Sequence, residues 1–506
     1  MRIKIFFTVL CFLLLPFYNK AQELVFSETE RTDDRDINFD IIGKMDGNYL
    51  VYKNIRWKHA ISVYDGDMKL KERISLDFIP EKTFNVDFVA YPDFFYMIYQ
   101  YEKRNTVHCM GVKMGADGKK MSEPIELDTT RIDLTMNNKI YSTINSEDKK
   151  QIMIFKLFSK REKSHFMTLL FNDQLQLQRK SREVVDFDDR RDVYSDFFVD
   201  NDGNFVYAKG TRGANRDYIN DLKLVTKSPT EDTFSYHKID LQKKYVDEVK
   251  LKIDNVNKHY LINTFYYTER RGNIDGLFTC IWDRTARQPA ALELTEFSET
   301  MKRDAKKDGQ LRFAFNDFFI RQIIVKKDGG FLLMAEDYST QSRGNNNNMW
   351  NRYDYLNSPY MTGNDYYLYN SSYNPYYRPY NSFNYNSTRY FYANVVVMSI
   401  DKNAKLDWNN VIVKDQFDDE NDNFMSYNTM IAGGEIQFFF NDPGKRYETI
   451  SWQTISPKGE IRRNPPLKSM QKTYQFMPRF AKQVGARQLL IPCMYRGFIC
   501  FAKADF

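Results

Sequence analysis

A short polar or Gly-containing turn followed by a strand of apolar and aromatic residues recurs eight times along the chain. The instances begin at Asp46, Pro92, Glu147, Asp202, Asn257, Asp328, Gly433 and Gly485. They place Tyr49, Phe95, Ile152, Phe205, Tyr260, Phe331, Ile436 and Leu489 at equivalent positions. Many of these strands, Phe94–Tyr99 and Phe331–Met334 among them, are apolar throughout instead of alternating, a pattern that demands burial on both faces. Each unit continues into a third strand and a polar hairpin such as Tyr64-Asp65-Gly66-Asp67 or Ala116-Asp117-Gly118-Lys119, although the fourth unit lacks a clean one. Four short strands in about 50 residues make a propeller blade. The expectation is an all-β chain forming a single β-propeller of four-stranded blades, eight in number, with seven the alternative count.

The chain ends after three strands of the eighth unit, whereas Glu23–Glu28 is a strand left over before the first. Pairing the two would close the ring through an N-terminal strand that completes the C-terminal blade and removes a free edge. Ser298–Asp308 reads as one charged helix between blades 5 and 6. Residues 341–390, between the second and third strands of blade 6, hold 12 Asn and 12 Tyr but almost no aliphatic side chain. Such a segment buries too little apolar surface to order itself. It is either a binding arm, with Tyr353, Tyr366, Tyr376 and Tyr380 as contact residues, or a low-complexity insertion tolerated at a loop tip.

Residues 1–21 have the form of an export signal: Arg2 and Lys4, an apolar run from Ile5 to Phe17 too short to span a bilayer, and Asn19-Lys20-Ala21 before Gln22. The propeller then occupies residues 22–506, and the expected location is the periplasm or the outer membrane, with secretion the further option. Loss of Arg2, Lys4 and Lys20 lowers the formal net charge from +6 to +3. That is far from the concentrated basic surface of a nucleic-acid binder. No other segment reads as a transmembrane helix.

The chain resembles bacterial exported β-propellers, in particular secreted propellers of the Bacteroidetes. The stretch Asp328–Gln416, with DGGFLLMAEDYS and ANVVVMSIDKNAKLDWNNVIVKDQ, carries the likeness. The resemblance implies an exported propeller and no particular activity.

Candidate chemistry is sparse. The pair Arg-Gly recurs at the turns after the second strands of blades 4, 5, 6 and 8, as Arg212, Arg271, Arg343 and Arg496. Glycine suits the positive φ of such turns, and four arginines on one face also suit an anion. Acidic connections share that face: Asp33, Asp34 and Asp36, then Asp186, Asp188, Asp189 and Asp192, then Asp415 to Asp422. Asp418, Glu420 and Asp422 alternate as Ca²⁺ ligands do, without the Gly and terminal Glu of a standard loop, so they read more simply as partners of the arginines. No other cofactor is expected. Cys493 and Cys500 face each other if Arg496-Gly497 is a two-residue turn, in a hydrogen-bonded register that separates side chains, so they form either a disulfide or two small buried residues. Five scattered histidines, no HExxH or CxxC, no nucleophile elbow and no phosphate loop leave no catalytic motif, while carboxylate pairs stay invisible in sequence. The expectation is therefore a noncatalytic envelope scaffold contacting a protein through its loop face and Tyr/Asn arm. Two alternatives stand beside it: a glycan-binding or carbohydrate-active propeller, marked by clustered carboxylates at the channel mouth, and an outer-membrane β-barrel.

Overall fold

Strands that are apolar on both faces need a neighbouring sheet on each side, and the chain meets that need by building small antiparallel sheets and stacking them in sequence order. The computed structural model describes residues 24–31, 39–55, 57–132, 140–188, 190–215, 217–270, 272–306, 315–342, 352, 388–419, 422–442, 447–469 and 472–506. Blade 1 runs outward from the axis as Phe39–Met45, Asn48–Ile55, Lys58–Tyr64 and Leu70–Ser75. The inner strands of the following blades are Thr83–Ala90, Ser142–Asn145, Asp192–Val199, Lys250–Asp254, Phe318–Val325, Tyr427–Ala432 and Lys482–Gly485. Blades 4 and 5 merge into one sheet because the short strand Tyr245–Val246 pairs with both, Val246 with Ile219 and Tyr245 with Tyr267.

The packing between blades shows that the stack is a closed ring. Leu50 and Ile61 of blade 1 share a core with Met97 and Val112 of blade 2. The pairing then passes in order from blade to blade: Ile98 with Ile154, Phe155 with Tyr207, Leu224 with Ile262, Leu261 with Leu333, Val397 with Phe438, and Phe439 with Ile491. An eighth core joins the last blade to the first, Leu490 and Phe501 against Tyr49 and Tyr64. Eight interfaces for eight blades leave no end to the stack, and each large side chain buried there contributes about 1.5–3 kcal/mol. The β-propeller and its eight blades are as expected. The β-barrel alternative is not: a barrel has one continuous wall, whereas here short meanders pack face to face. The helix Glu299–Ala305 lies between blades 5 and 6 as expected, N-capped by Ser298, whose Oγ accepts from the Met301 amide at 3.2 Å. Its Met301 and Ala305 are buried in the core between those blades.

Blade 8 takes its outer strand from the N-terminus, Leu24 opposite Ala504 and Phe26 opposite Ala502. The strand is longer than the sequence pattern indicates. It breaks at Ser27, whose Oγ accepts from the Phe501 amide at 3.0 Å, and resumes as Glu30–Arg31 opposite Ile499 and Phe498. The resumption places Glu30 against blade 1. Its carboxylate lies 2.5 Å from Lys53 Nζ and 2.6 Å from Arg73, and Tyr64 OH donates to it at 2.9 Å. The arrangement recurs around the ring: Asp128 on the outer strand of blade 2 meets Lys156 of blade 3 at 3.1 Å and accepts from Tyr141 OH at 2.7 Å, and Glu183 of blade 3 meets Lys227 of blade 4 at 3.1 Å. At Glu30 the same arrangement joins the last blade to the first.

Burial pushes the Glu30 carboxyl up, but Lys53, Tyr64 and Arg73 outweigh burial and hold it below its usual 4.5. Such a group stabilises the fold above its unfolded pKa, and the contribution disappears as pH falls through the folded one. Glu30→Gln leaves Lys53 buried without its counter-charge, and urea unfolding near pH 7 is expected to show a loss of about 3 kcal/mol. The gap from wild type should close below about pH 4. Equal stability near pH 7 would remove the latch from the account.

Candidate functional site

In a propeller the inner strands surround a central channel, and here their polar residues stitch one blade to the next. Lys482 Nζ of blade 8 donates to the Ile41 carbonyl of blade 1 at 2.8 Å. Gln483 of the same strand bonds the backbone of Ile431 in blade 7 in both directions, at 3.0 and 3.2 Å. Thr429 Oγ1 of blade 7 donates to Gln322 Oε1 of blade 6 at 3.0 Å. Between blades 4 and 5 the Leu251 amide donates to Asp196 Oδ2 at 2.8 Å. Carboxylate, amide, hydroxyl and ammonium groups thus share the inner strands.

Three of the inner strands carry an aspartate between apolar or small neighbours: Asp40 in blade 1, Asp87 in blade 2 and Asp196 in blade 4. Asp40 is partly buried, and its carboxyl is pushed up to about 6 by burial, relieved by Lys482 and raised further by the negative charge of Asp87. Asp87 Oδ2 accepts from Asn85 Nδ2 at 2.8 Å. Asp196 sits on an irregularity in the pairing of its strand, between Ser195 and Phe198, with φ of +50°. A bulge of this kind re-aims a side chain. Here it turns the carboxylate toward blade 5, where Lys250 Nζ lies 3.8 Å away. Burial raises the Asp196 carboxyl, offset by Lys250 and the Leu251 amide. Burial also lowers Lys252 on the same strand, opposed by Glu147 and Asp196, and lowers Lys149, with Lys482 adding like-charge repulsion. Sequence patterning passed over these aspartates because each is a lone acid inside an apolar strand. The signal was the recurrence of Asp before Ile or Phe in first strands, as Asp40-Ile41, Asp87-Phe88 and Asp196-Phe197.

The residues singled out in the sequence are placed apart. Arg212 ends the second strand of blade 4, where Arg191 Nε donates to its carbonyl at 2.9 Å. Arg496 occupies the blade 8 hairpin with φ of +52°, followed by Gly497 at +80°, and its guanidinium lies 5.2 Å from the Tyr495 ring. Blades 4 and 8 stand on opposite sides of an eight-membered ring, so these two arginines do not share a ligand. Asp418 accepts from Tyr447 OH at 2.7 Å. Asp422 is buried against Arg479 at 3.0 Å and accepts from Tyr392 OH at 2.6 Å. Arg389 grips Asp419 through two nitrogens, at 2.5 and 3.1 Å. Among the described residues no group of three His, Cys, Asp or Glu side chains is placed to hold a metal ion. Cys493 and Cys500 face each other across the hairpin as buried free thiols with Sγ atoms 2.8 Å apart, and burial pushes the Cys493 thiol well up. Arg271, Arg343, Tyr353, Tyr366, Tyr376, Tyr380 and Glu420 lie outside the described residues. The histidines are dispersed over five blades, His59, His108, His165, His237 and His259 in order. No helix among the described residues is long and apolar enough to cross a membrane.

No family model and no curated protein matches the sequence. Among solved structures the chain is similar to prolyl oligopeptidase B from Galerina marginata, at 7% identity over 94% of this chain and 56% of that one, with a TM-score of 0.40. It is also similar to the polysaccharide lyase Uly1, at 10% identity over 83% and 89% with a TM-score of 0.37. A third is the β-propeller domain of the Trilobed protease from Pyrococcus furiosus, at 8% identity over 83% and 95% with a TM-score of 0.35. The chain spans just over half the length of the prolyl oligopeptidases it matches. The expectation of a noncatalytic scaffold is corrected here: the solved structures in question are peptidases and a lyase. At these values the likeness transfers no residue and no reaction.

A carboxyl whose folded pKa is raised contributes fully below its unfolded pKa, and that contribution is lost as pH rises through the folded value. For Asp40 the window runs from the ordinary 3.8 to about 6. Asp40→Asn escapes it and is expected to be more stable than wild type by about 1–2 kcal/mol near pH 8, after allowance for solvent screening, and equal to it near pH 4. Thermal unfolding at the two pH values checks this. A less stable Asp40→Asn near pH 8 would mean that the carboxylate is wanted there.

Proposed function

We propose that the protein is a carbohydrate-active propeller that binds a glycan at its channel and uses Asp40, with Asp87 beside it, for acid–base work on the glycosidic linkage. The observation that carries the reading is the Asp40 carboxyl, pushed up to about 6 on the channel wall, next to a second carboxylate and a lysine. A carboxyl in that range keeps a proton to donate close to neutral pH, and a pair of carboxylates in different surroundings is the equipment such cleavage uses. The mixed amide, hydroxyl and ammonium groups of Gln322, Thr429, Lys482 and Gln483 supply donors and acceptors of the kind sugar hydroxyls need. The signal-like residues 1–21 and the resemblance to secreted propellers support an exported chain acting outside the cytoplasm.

The test is a panel of neutral and acidic oligosaccharides, screened for binding and for new reducing or unsaturated ends between about pH 4 and 8. Turnover should decline as pH rises through about 6. Asp40→Asn should keep binding and lose turnover by about 10²-fold or more. Failure of every oligosaccharide to bind, or full turnover by Asp40→Asn, would overturn the proposal.

A further inference from the structure

One residue inside the Tyr/Asn-rich insert, Arg352, is buried against the ring, and what surrounds it is a built receptor. Its Nε lies 2.7 Å from Asp247 Oδ2 and its Nη2 lies 3.2 Å from Asp247 Oδ1, a two-pronged contact with one carboxylate. Nη2 also reaches Glu248 Oε2 at 3.4 Å, and Nη1 donates to the Phe318 carbonyl. The guanidinium plane lies over the Phe319 ring, 4.1 Å from its centroid, with Phe265 at 5.8 Å. Tyr267 OH donates to Asp247 Oδ2 at 2.5 Å and holds that carboxylate in place. Asp247 is 5% exposed at its side chain and Glu248 is 10%. Two adjacent carboxylates so enclosed require a cation, and a forked, flat cation that stacks on an aromatic face is a guanidinium and not an ammonium.

Among the described residues every group of this receptor other than Arg352 belongs to the ring. Asp247 and Glu248 precede the inner strand of blade 5, Phe318 and Phe319 begin that of blade 6, and Phe265 and Tyr267 belong to the second strand of blade 5. The interface core between these blades contains Phe265, Tyr267 and Phe318, so blade packing holds these walls of the pocket in place. The pocket also communicates with the channel wall. Glu248 Oε1 lies 3.5 Å from Lys250 Nζ, which in turn faces Asp196.

We propose that the rim of the channel between blades 5 and 6 is a guanidinium-binding site, filled in the protein itself by Arg352, which thereby tethers the insert beside the channel carboxylates. A free alkylguanidinium is a competitor for that site, and the tether is the reason the native chain does not take one up. The site stands independently of any glycan chemistry in the channel.

The experiment uses the full chain with Arg352→Ala, its fold checked by circular dichroism, and methylguanidinium as probe in isothermal titration. Arg352→Ala is expected to bind methylguanidinium with a dissociation constant on the order of 1 mM, against no measurable uptake by wild type. Methylammonium should bind at least about tenfold more weakly, since it lacks the fork. Adding Asp247→Asn to Arg352→Ala should abolish uptake. If Arg352→Ala does not fold, Arg352→Lys keeps a charge near the carboxylates while vacating the fork, and methylguanidinium should raise its melting temperature but not that of wild type. Equal behaviour of wild type and variant, or uptake that survives Asp247→Asn, would overturn the assignment.

Discussion

The ring depends on one pairing: the N-terminal strand against the last strand of the chain. Seven interblade cores follow from stacking successive sheets, and each is local in sequence. The eighth, Leu490 and Phe501 against Tyr49 and Tyr64, brings together the two ends of the chain and exists only if the ring closes. Closure leaves no open face on which doubly apolar strands would meet water. Glu30 makes the closure specific, because its carboxylate finds Lys53 and Tyr64 only when the strand is in register with Ile499. An apolar strand alone would tolerate slippage, and a buried charge that must meet its partner does not.

The channel is the consequence of closure. Once eight inner strands stand around an axis, isolated polar residues on them converge although they are remote in sequence. Asp40 owes its raised carboxyl first to the burial that the ring imposes and then to Asp87 of blade 2, while Lys482 of blade 8 on the other side works against the rise. The bulge at Asp196 works to the same end, departing from regular strand geometry to bring a carboxylate to Lys250. Departures from ideal backbone placed where ionisable groups gather are a feature of working sites.

Much of the fold was legible because blade stacking leaves a strong mark: turns such as Asp202-Gly203 before Phe205-Val206-Tyr207 repeat, and strands apolar on both faces admit few architectures. The Arg496-Gly497 turn was legible too, since both residues take positive φ. The extension to Glu30 was not, because a Ser-Glu-Thr-Glu run carries no strand pattern and is held by side-chain contacts, Ser27 accepting from the Phe501 amide and Glu30 pairing with Lys53. Nor were the aspartates of the inner strands. A lone Asp in Phe39-Asp40-Ile41 looks like an exposed position of an alternating strand, and only the inward placement of every first strand makes it part of a wall. Arg352 was hidden for a related reason: in a polar, tyrosine-rich stretch a single arginine has no context, and its partners Asp247 and Glu248 lie in another blade.

The most direct test of the central claim, that ring closure creates a carboxylate-bearing channel that receives a sugar, is a crystal structure of the protein soaked with mixed short oligosaccharides, including acidic ones, near pH 6. The account expects sugar density at the inner strands of blades 1, 2 and 8, with hydroxyl or glycosidic oxygens within hydrogen-bond reach of Asp40 and Asp87. Sugar bound only on the outer strands, or a channel that stays free of sugar while the protein binds the same oligosaccharide in solution, would contradict it.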